Sequence, residues 1–257
     1  MIGDYLNIVM ETPSGFPINV TYRGEKNDYN TLRACIMEDE YKIESLNLKA
    51  GDWAIDVGAH IGGVSLYLAS KGINVVAVEP IPENVTALKR HIELNPDLPG
   101  KIHVLHKAID SRAGRKVFVN YFDTSNEHGL VHEFIGSIAD KAALNPACKS
   151  GRSIEVKTIS LTNIFNDFKI DKCCFLKMDC EGGEWKAFSK ISNSILDKIT
   201  FIVGEIHSIS PPMPPIVDHG ALLKFMKGRF VDISEEYEPI YSKPGKLTHF
   251  AYHHKDA

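Results

Sequence analysis

Trp53-Ala-Ile-Asp-Val-Gly-Ala-His-Ile-Gly-Gly63 is the stretch that decides the fold. Trp53 to Val57 is a short, largely apolar run carrying Asp56 near its end. Gly58 and Gly62 follow, and then Val64, Leu66, Tyr67 and Leu68 at helical spacing. The pattern reads as strand, tight glycine turn, helix. Gly58 permits a turn with positive φ or a close approach to a ligand, and glycines near the helix start leave its first N–H groups open to one. A ligand belongs at this turn.

Outward from it the period is regular. A second apolar run, Val75-Val-Ala-Val78, closes on Glu79, so strands over 53–57, 74–79 and 102–107 alternate with helices near 63–71 and 83–94. Pro82 sits in a helix first turn, where its missing N–H costs nothing. Such alternation implies right-handed crossovers and a parallel sheet. Residues 1–50 form an N-terminal extension. In it the Thr-Pro-Ser-Gly turn leads to a short strand within 15–22, and a helix is expected over 30–41, its acidic Glu38, Asp39 and Glu40 read as a solvated face.

The alternation breaks after a strand at 116–119. The segment from Asn120 to Ser153 carries the polar Ser125-Asn-Glu-His-Gly129 and then Leu130, Phe134 and Ile138 four apart. An interruption of this length in a compact α/β pattern is functional or mobile, and it is the candidate lid. A half-buried strand over 154–159 and a helix over 161–168 follow. Cys173-Cys-Phe-Leu-Lys-Met178 then ends on Asp179, with the two cysteines as small hydrophobes on opposite faces. Asp179-Cys-Glu-Gly-Gly-Glu184-Trp185 puts carboxylates and glycines at a second strand-to-helix turn. An acidic helix start accounts for Glu184 but not for Asp179, which stands at a strand tip. A strand over 200–207 ends in Glu205 and His207. The stiff Ser210-Pro-Pro-Met-Pro-Pro215 connection is followed by a helix over 221–227, and strands at 230–233 and 248–252 complete a seven-strand sheet. The expected fold is α/β: a doubly wound, mostly parallel sheet within one domain spanning 1–257. Its last strand is antiparallel because the closing pair has no helix between its members.

A chain of 257 residues with 44% hydrophobic content can bury a full core. A formal net charge of −4 with no dense Lys/Arg run gives no electrostatic reason to bind nucleic acid. The five cysteines, Cys35, Cys148, Cys173, Cys174 and Cys180, form no C-x-x-C pair and read as reduced thiols. No window approaches the roughly 20 apolar residues of a membrane span, and the start of the chain lacks a leader pattern, so a cytoplasmic protein is expected.

The turn departs from the dinucleotide fingerprint, because His60 stands where G-x-G-x-x-G has its second glycine. Apolar-apolar-Asp-x-Gly-x-x-x-Gly resembles instead the first motif of class I S-adenosylmethionine-dependent methyltransferases. Glu79, about twenty residues on, is placed to accept both ribose hydroxyls. Together, Ile-Asp-Val-Gly-Ala-His-Ile-Gly, Val-Glu-Pro, Thr158-Ile-Ser-Leu161, Leu-Lys-Met-Asp-Cys-Glu-Gly-Gly-Glu and Gly-Glu-Ile-His resemble the FkbM family of methyltransferases. The resemblance runs from about Tyr41 to about His207, and Lys177-x-Asp179-x-Glu181-Gly-x-Glu184 is its most specific part. It implies a Rossmann-like seven-stranded fold, with the strand order expected as 3-2-1-4-5-7-6, S-adenosylmethionine as methyl donor and O-methylation, typically of sugar or polyketide hydroxyls, so the expected partner is a small-molecule or glycan acceptor. His60 departs from the family's usual Asn. The cofactor would meet Asp56, Gly58, His60, Gly62, Glu79 and Asp179, with Pro80 and Ile81 flanking the adenine and Asp110 near its amino group.

Methyl transfer from a sulfonium is an in-line displacement, so the protein mainly positions donor and acceptor. A hydroxyl acceptor must also lose a proton. Asp179, Glu181 and His207 are the candidate catalytic groups, and His207 has the natural pKa for a base. A NAD-dependent oxidoreductase and a non-catalytic S-adenosylmethionine-binding module are the rival readings. A divalent cation held by Asp179 and Glu205 is a variant that the sequence allows and does not require.

Overall fold

The computed structural model describes residues 5–23, 27–121, 152–180, 183–205, 229–234 and 249–256. It opens with an antiparallel hairpin, β1 (Tyr5–Glu11) and β2 (Pro17–Arg23), followed by α1 (Asp28–Ile36) and a single 3-10 turn at Ile43–Ser45. The predicted alternation then runs as β3 (Trp53–Val57), α2 (Gly63–Ser70), β4 (Asn74–Glu79), α3 (Pro82–Leu94) and β5 (Ile102–His106). Next come β6 (Ala108–Ile109), β7 (Lys116–Tyr121), β8 (Arg152–Ile159), α4 (Leu161–Asp167) and β9 (Cys173–Met178). The chain closes with α5 (Glu184–Phe188), α6 (Asn193–Leu196), β10 (Ile199–Glu205), β11 (Phe230–Asp232) and β12 (His249–His254).

Seven strands form the central sheet in the order β11-β12-β10-β9-β3-β4-β5. β5, β4, β3, β9 and β10 are parallel, and β12 is antiparallel to both of its neighbours. The parallel strands read as near-continuous apolar runs because both faces are covered. On one face Ile55, Val57, Val76, Val78, Leu176 and Ile202 pack with Ile164 and Phe165 of α4. On the other, Ala54, Val75, Cys174 and Val203 pack with Val64, Tyr67 and Leu68 of α2 and with Tyr41 and Ile43. Cys173 and Cys174 fall on opposite faces as free buried thiols. Cys148 lies outside the described residues.

Three features differ from the sequence reading. β1 was not foreseen, and Thr12-Pro-Ser-Gly15 is the loop of a hairpin whose ends meet at Glu11 and Pro17. Helix α1 ends at Ile36 rather than near residue 41, so Glu38, Asp39 and Glu40 are not a solvated helix face. Glu38 pairs with Arg33, Asp39 accepts the Ile43 and Glu44 N–H groups, and Glu40 accepts the Cys35 thiol. Finally, β6, β8 and β7 form a separate three-stranded sheet. Because β7 continues to Tyr121 and β8 begins at Arg152, both ends of the candidate lid are strand, and residues 122–151 lie outside the described residues. The expected helix over 221–227 lies outside them too.

Candidate active site

Register fixes which groups can meet. Leu105, Val78, Val57, Met178 and Gly204 are successive partners across β5, β4, β3, β9 and β10. One residue further on stands a row at the carboxyl ends of the strands: His106, Glu79, Gly58, Asp179 and Glu205. Ligands of open α/β sheets bind beyond this edge, where the crossovers diverge.

Gly58 has φ +75°, and a Cβ there would lie 1.7 Å from the Asp179 carbonyl oxygen. Its glycine character is therefore required by the neighbouring strand tip as well as by the turn. Gly62, at φ +94°, immediately precedes α2, and a Cβ there would meet Leu88 Cδ1 of α3 at 2.2 Å. Both glycines let the turn sit close to the rest of the chain.

Beneath the turn lies a buried ion cluster. Asp56 is 0% exposed, and its Oδ2 accepts the Ser65 hydroxyl at 2.7 Å. Its Oδ1 has no hydrogen-bond partner and faces Lys177 Nζ at 3.6 Å, an ion pair without a hydrogen bond. The same Nζ donates to the Gly58 carbonyl at 2.8 Å and lies 3.3 Å from Asp179 Oδ2. Burial pulls the Lys177 pKa down, but Asp179 and Asp56 outweigh it and hold the ammonium protonated. Tyr41 Oη donates to Asp179 Oδ2 at 3.3 Å. Glu40 is pushed up by burial, against the pull of Lys177 and with the repulsion of Asp179 and Glu205. Lys177, Tyr41 and Glu40 were not among the residues assigned from sequence. A lysine within a buried strand was the available signal for the first; nothing in the spacing could have brought Tyr41 to Asp179.

Glu79 is buried and oriented by the chain's own donors. Oε2 accepts the His60 N–H at 2.8 Å, while Oε1 accepts the Ile81 N–H at 2.9 Å and Asn84 Nδ2 at 3.3 Å. Asn84 accepts in turn from Arg23 Nη2, whose guanidinium is paired with Asp28 at 2.6 and 2.7 Å. The N-terminal hairpin thus braces the tip of β4. Pro80 and Ile81 continue from it, both buried, with the Pro80 carbonyl 2.9 Å from His106 Nε2. Asp110, buried, follows β6; it accepts from Ser111 and from Arg115 Nη1. At the second turn Glu184 accepts the Cys180 N–H at 3.0 Å, the structural role expected of an acid there. Glu181 and His207 lie outside the described residues.

His60 is the unusual group. It holds a left-handed backbone, φ 50°, that a non-glycine residue adopts at a cost, and its buried ring Nδ1 has no partner. Burial pushes its pKa down to about 4, Asp28 pulling the other way. Between the ordinary value of about 6.5 and 4 the unfolded chain takes up the proton first, so His60 removes stability as pH falls through that window, by about 3 kcal/mol at the lower end. His60→Asn, whose amide tolerates the left-handed region, is expected to flatten the acid side of a stability curve measured by urea unfolding at pH 4 to 7. Superimposable curves for the two proteins would contradict this.

A family model described as the methyltransferase FkbM domain matches residues 56–233. The chain belongs to the FkbM methyltransferase family. This FkbM protein is accordingly an S-adenosylmethionine-dependent methyltransferase. No curated protein matches it. Among solved structures, a tRNA (uracil-54, C5)-methyltransferase from Pyrococcus abyssi with S-adenosyl-L-homocysteine is 12% identical at TM-score 0.44, covering 96% of this chain and 43% of that one. An rRNA methylase from Streptococcus thermophilus is 10% identical at TM-score 0.41, covering 80% and 86%. A SAM-dependent methyltransferase from Aquifex aeolicus is 11% identical at TM-score 0.39, covering 86% and 91%. At these scores the likenesses leave the acceptor of the FkbM protein open.

The residues present fit the cofactor. S-adenosylmethionine brings a sulfonium, an ammonium and a ribose diol; the strand-end row of this FkbM protein offers Glu79, Asp179 and Glu205, with the buried Asp56 Oδ1 short of a donor below. Among the described residues no group of three or more His, Cys, Asp or Glu is arranged to hold a metal ion, and no helix is long and apolar enough to cross a membrane.

Proposed function

We propose that the protein O-methylates a hydroxyl of a sugar, glycan or related small molecule, as one cytoplasmic domain with a Rossmann-like sheet in the 3-2-1-4-5-7-6 order. The row of strand ends His106, Glu79, Gly58, Asp179 and Glu205 carries this reading, because it lines acceptors for a diol and for cations along one edge. When bound, the cofactor supplies the electrophilic methyl group. Glu79 takes the ribose hydroxyls, Pro80 and Ile81 flank the adenine and Asp110 stands near its amino group. His60, Gly58 and Gly62 line the turn, and Asp179 faces the methionine part. Asp56 acts from beneath, through Lys177 and Ser65.

The acceptor enters beyond Asp179 and Glu205, and His207, two residues past β10 in sequence, takes its proton with Glu181 and Glu205 orienting acceptor or base. Asp179 and Glu205, formal carboxylates at neighbouring strand ends, bias this edge toward negative charge, which suits a neutral acceptor better than a phosphate-bearing one.

Glu79→Ala tests the cofactor placement. Hydrogen bonds to a charged group contribute ~1.5–3 kcal/mol each, so losing two should weaken S-adenosylhomocysteine binding roughly a hundredfold or more. Because Glu79 also anchors His60 and Ile81, the melting temperature of the free variant is measured alongside. Unchanged affinity would place the ribose elsewhere.

A further inference from the structure

We propose that Tyr41, which lies before the family-matched residues 56–233, is a positioning residue that fixes the Asp179 carboxylate for the cofactor; this rests on the reading that Asp179 meets the methionine part. Tyr41 is 7% exposed, and its hydroxyl donates to Asp179 Oδ2 at 3.3 Å. Lys177 Nζ reaches the same oxygen at 3.3 Å and lies 5.8 Å from the centroid of the Tyr41 ring. Two donors from different elements on one carboxylate oxygen hold its plane, and the ring's negative face supports the ammonium between them. Burial, and next the Asp179 charge, push the Tyr41 pKa well up, so the hydroxyl remains a donor at every working pH.

The chain builds a sharp turn to deliver this ring. Asp39 and Lys42 on either side of it adopt left-handed backbone, φ 51° and 49°, and the Asp39 carboxylate accepts the Ile43 and Glu44 N–H groups at 2.7 and 2.8 Å. A tyrosine needed only as core filling would not require its hydroxyl to face a partly exposed carboxylate at the strand-end row, Asp179 at 24%.

The test is a double-mutant cycle on S-adenosylhomocysteine affinity by calorimetry, with Tyr41→Phe, Asp179→Asn and the pair, and with melting of the free proteins followed in parallel. Tyr41→Phe should weaken binding roughly tenfold while leaving melting within a few degrees, and the double variant should bind no more weakly than Asp179→Asn alone. Losses that simply add, or a lowered melting temperature with affinity intact, would make Tyr41 structural only. Unchanged affinity in Asp179→Asn would instead overturn the reading of Asp179 itself, and the proposal with it.

Discussion

Lys177→Met is expected to destabilise the protein by about 3–5 kcal/mol, the cost of breaking a buried pair by removing one partner. The side chain is 5% exposed, and its ammonium serves Asp56, Asp179 and the Gly58 carbonyl at once. Without it Asp56, 0% exposed, is left with Ser65 as its donor and nothing on Oδ1. For a chain of this size the loss corresponds to a fall of roughly 6–20 °C in melting temperature. Asp56→Asn in the Lys177→Met background removes the stranded carboxylate, so the pair should recover a good part of the loss. A single variant within about 1 kcal/mol of wild type in chemical denaturation would mean that the cluster is solvated and does not hold β3 to β9.

His207→Ala is expected to lower kcat by ~10²–10⁴-fold, the usual contribution of a general base, with S-adenosylhomocysteine affinity nearly intact. The motivation is position: His207 follows Glu205, whose strand neighbour is the strand carrying Asp179, in the row that faces the cofactor turn. His128→Ala, in the 120–153 segment, should not reproduce the loss. If affinity falls together with kcat, or kcat is unchanged, the proton acceptor is Asp179 or Glu181 and His207 is structural.

What could be read from the sequence was whatever local pattern encodes. β3, β4 and β9 are short apolar runs ending at or next to a carboxylate, so Asp56, Glu79 and Asp179 could be placed on strand ends before their neighbours were known. β1 was hidden because its side chains do not alternate cleanly, Leu6 and Val9 being exposed at 48% and 55%. Glu40 and Tyr41 were misjudged because the helix stops at Ile36, where the chain takes left-handed turns that no apolar period announces. The contacts that shape the site span 138 residues from Tyr41 to Asp179 and 61 from Arg23 to Asn84; they follow from how the N-terminal layer packs against α2 and α3, and spacing carries no trace of them.

We propose the strand-end row from His106 to Glu205 as the seat of S-adenosylmethionine. Titration calorimetry of the full chain with S-adenosylhomocysteine, and separately with NAD, tests it most directly. One saturable site for S-adenosylhomocysteine is expected, weakened roughly a hundredfold by Glu79→Ala, with no heat from NAD. Saturable NAD binding without S-adenosylhomocysteine binding, or an S-adenosylhomocysteine site untouched by both Glu79→Ala and Asp179→Asn, would contradict it.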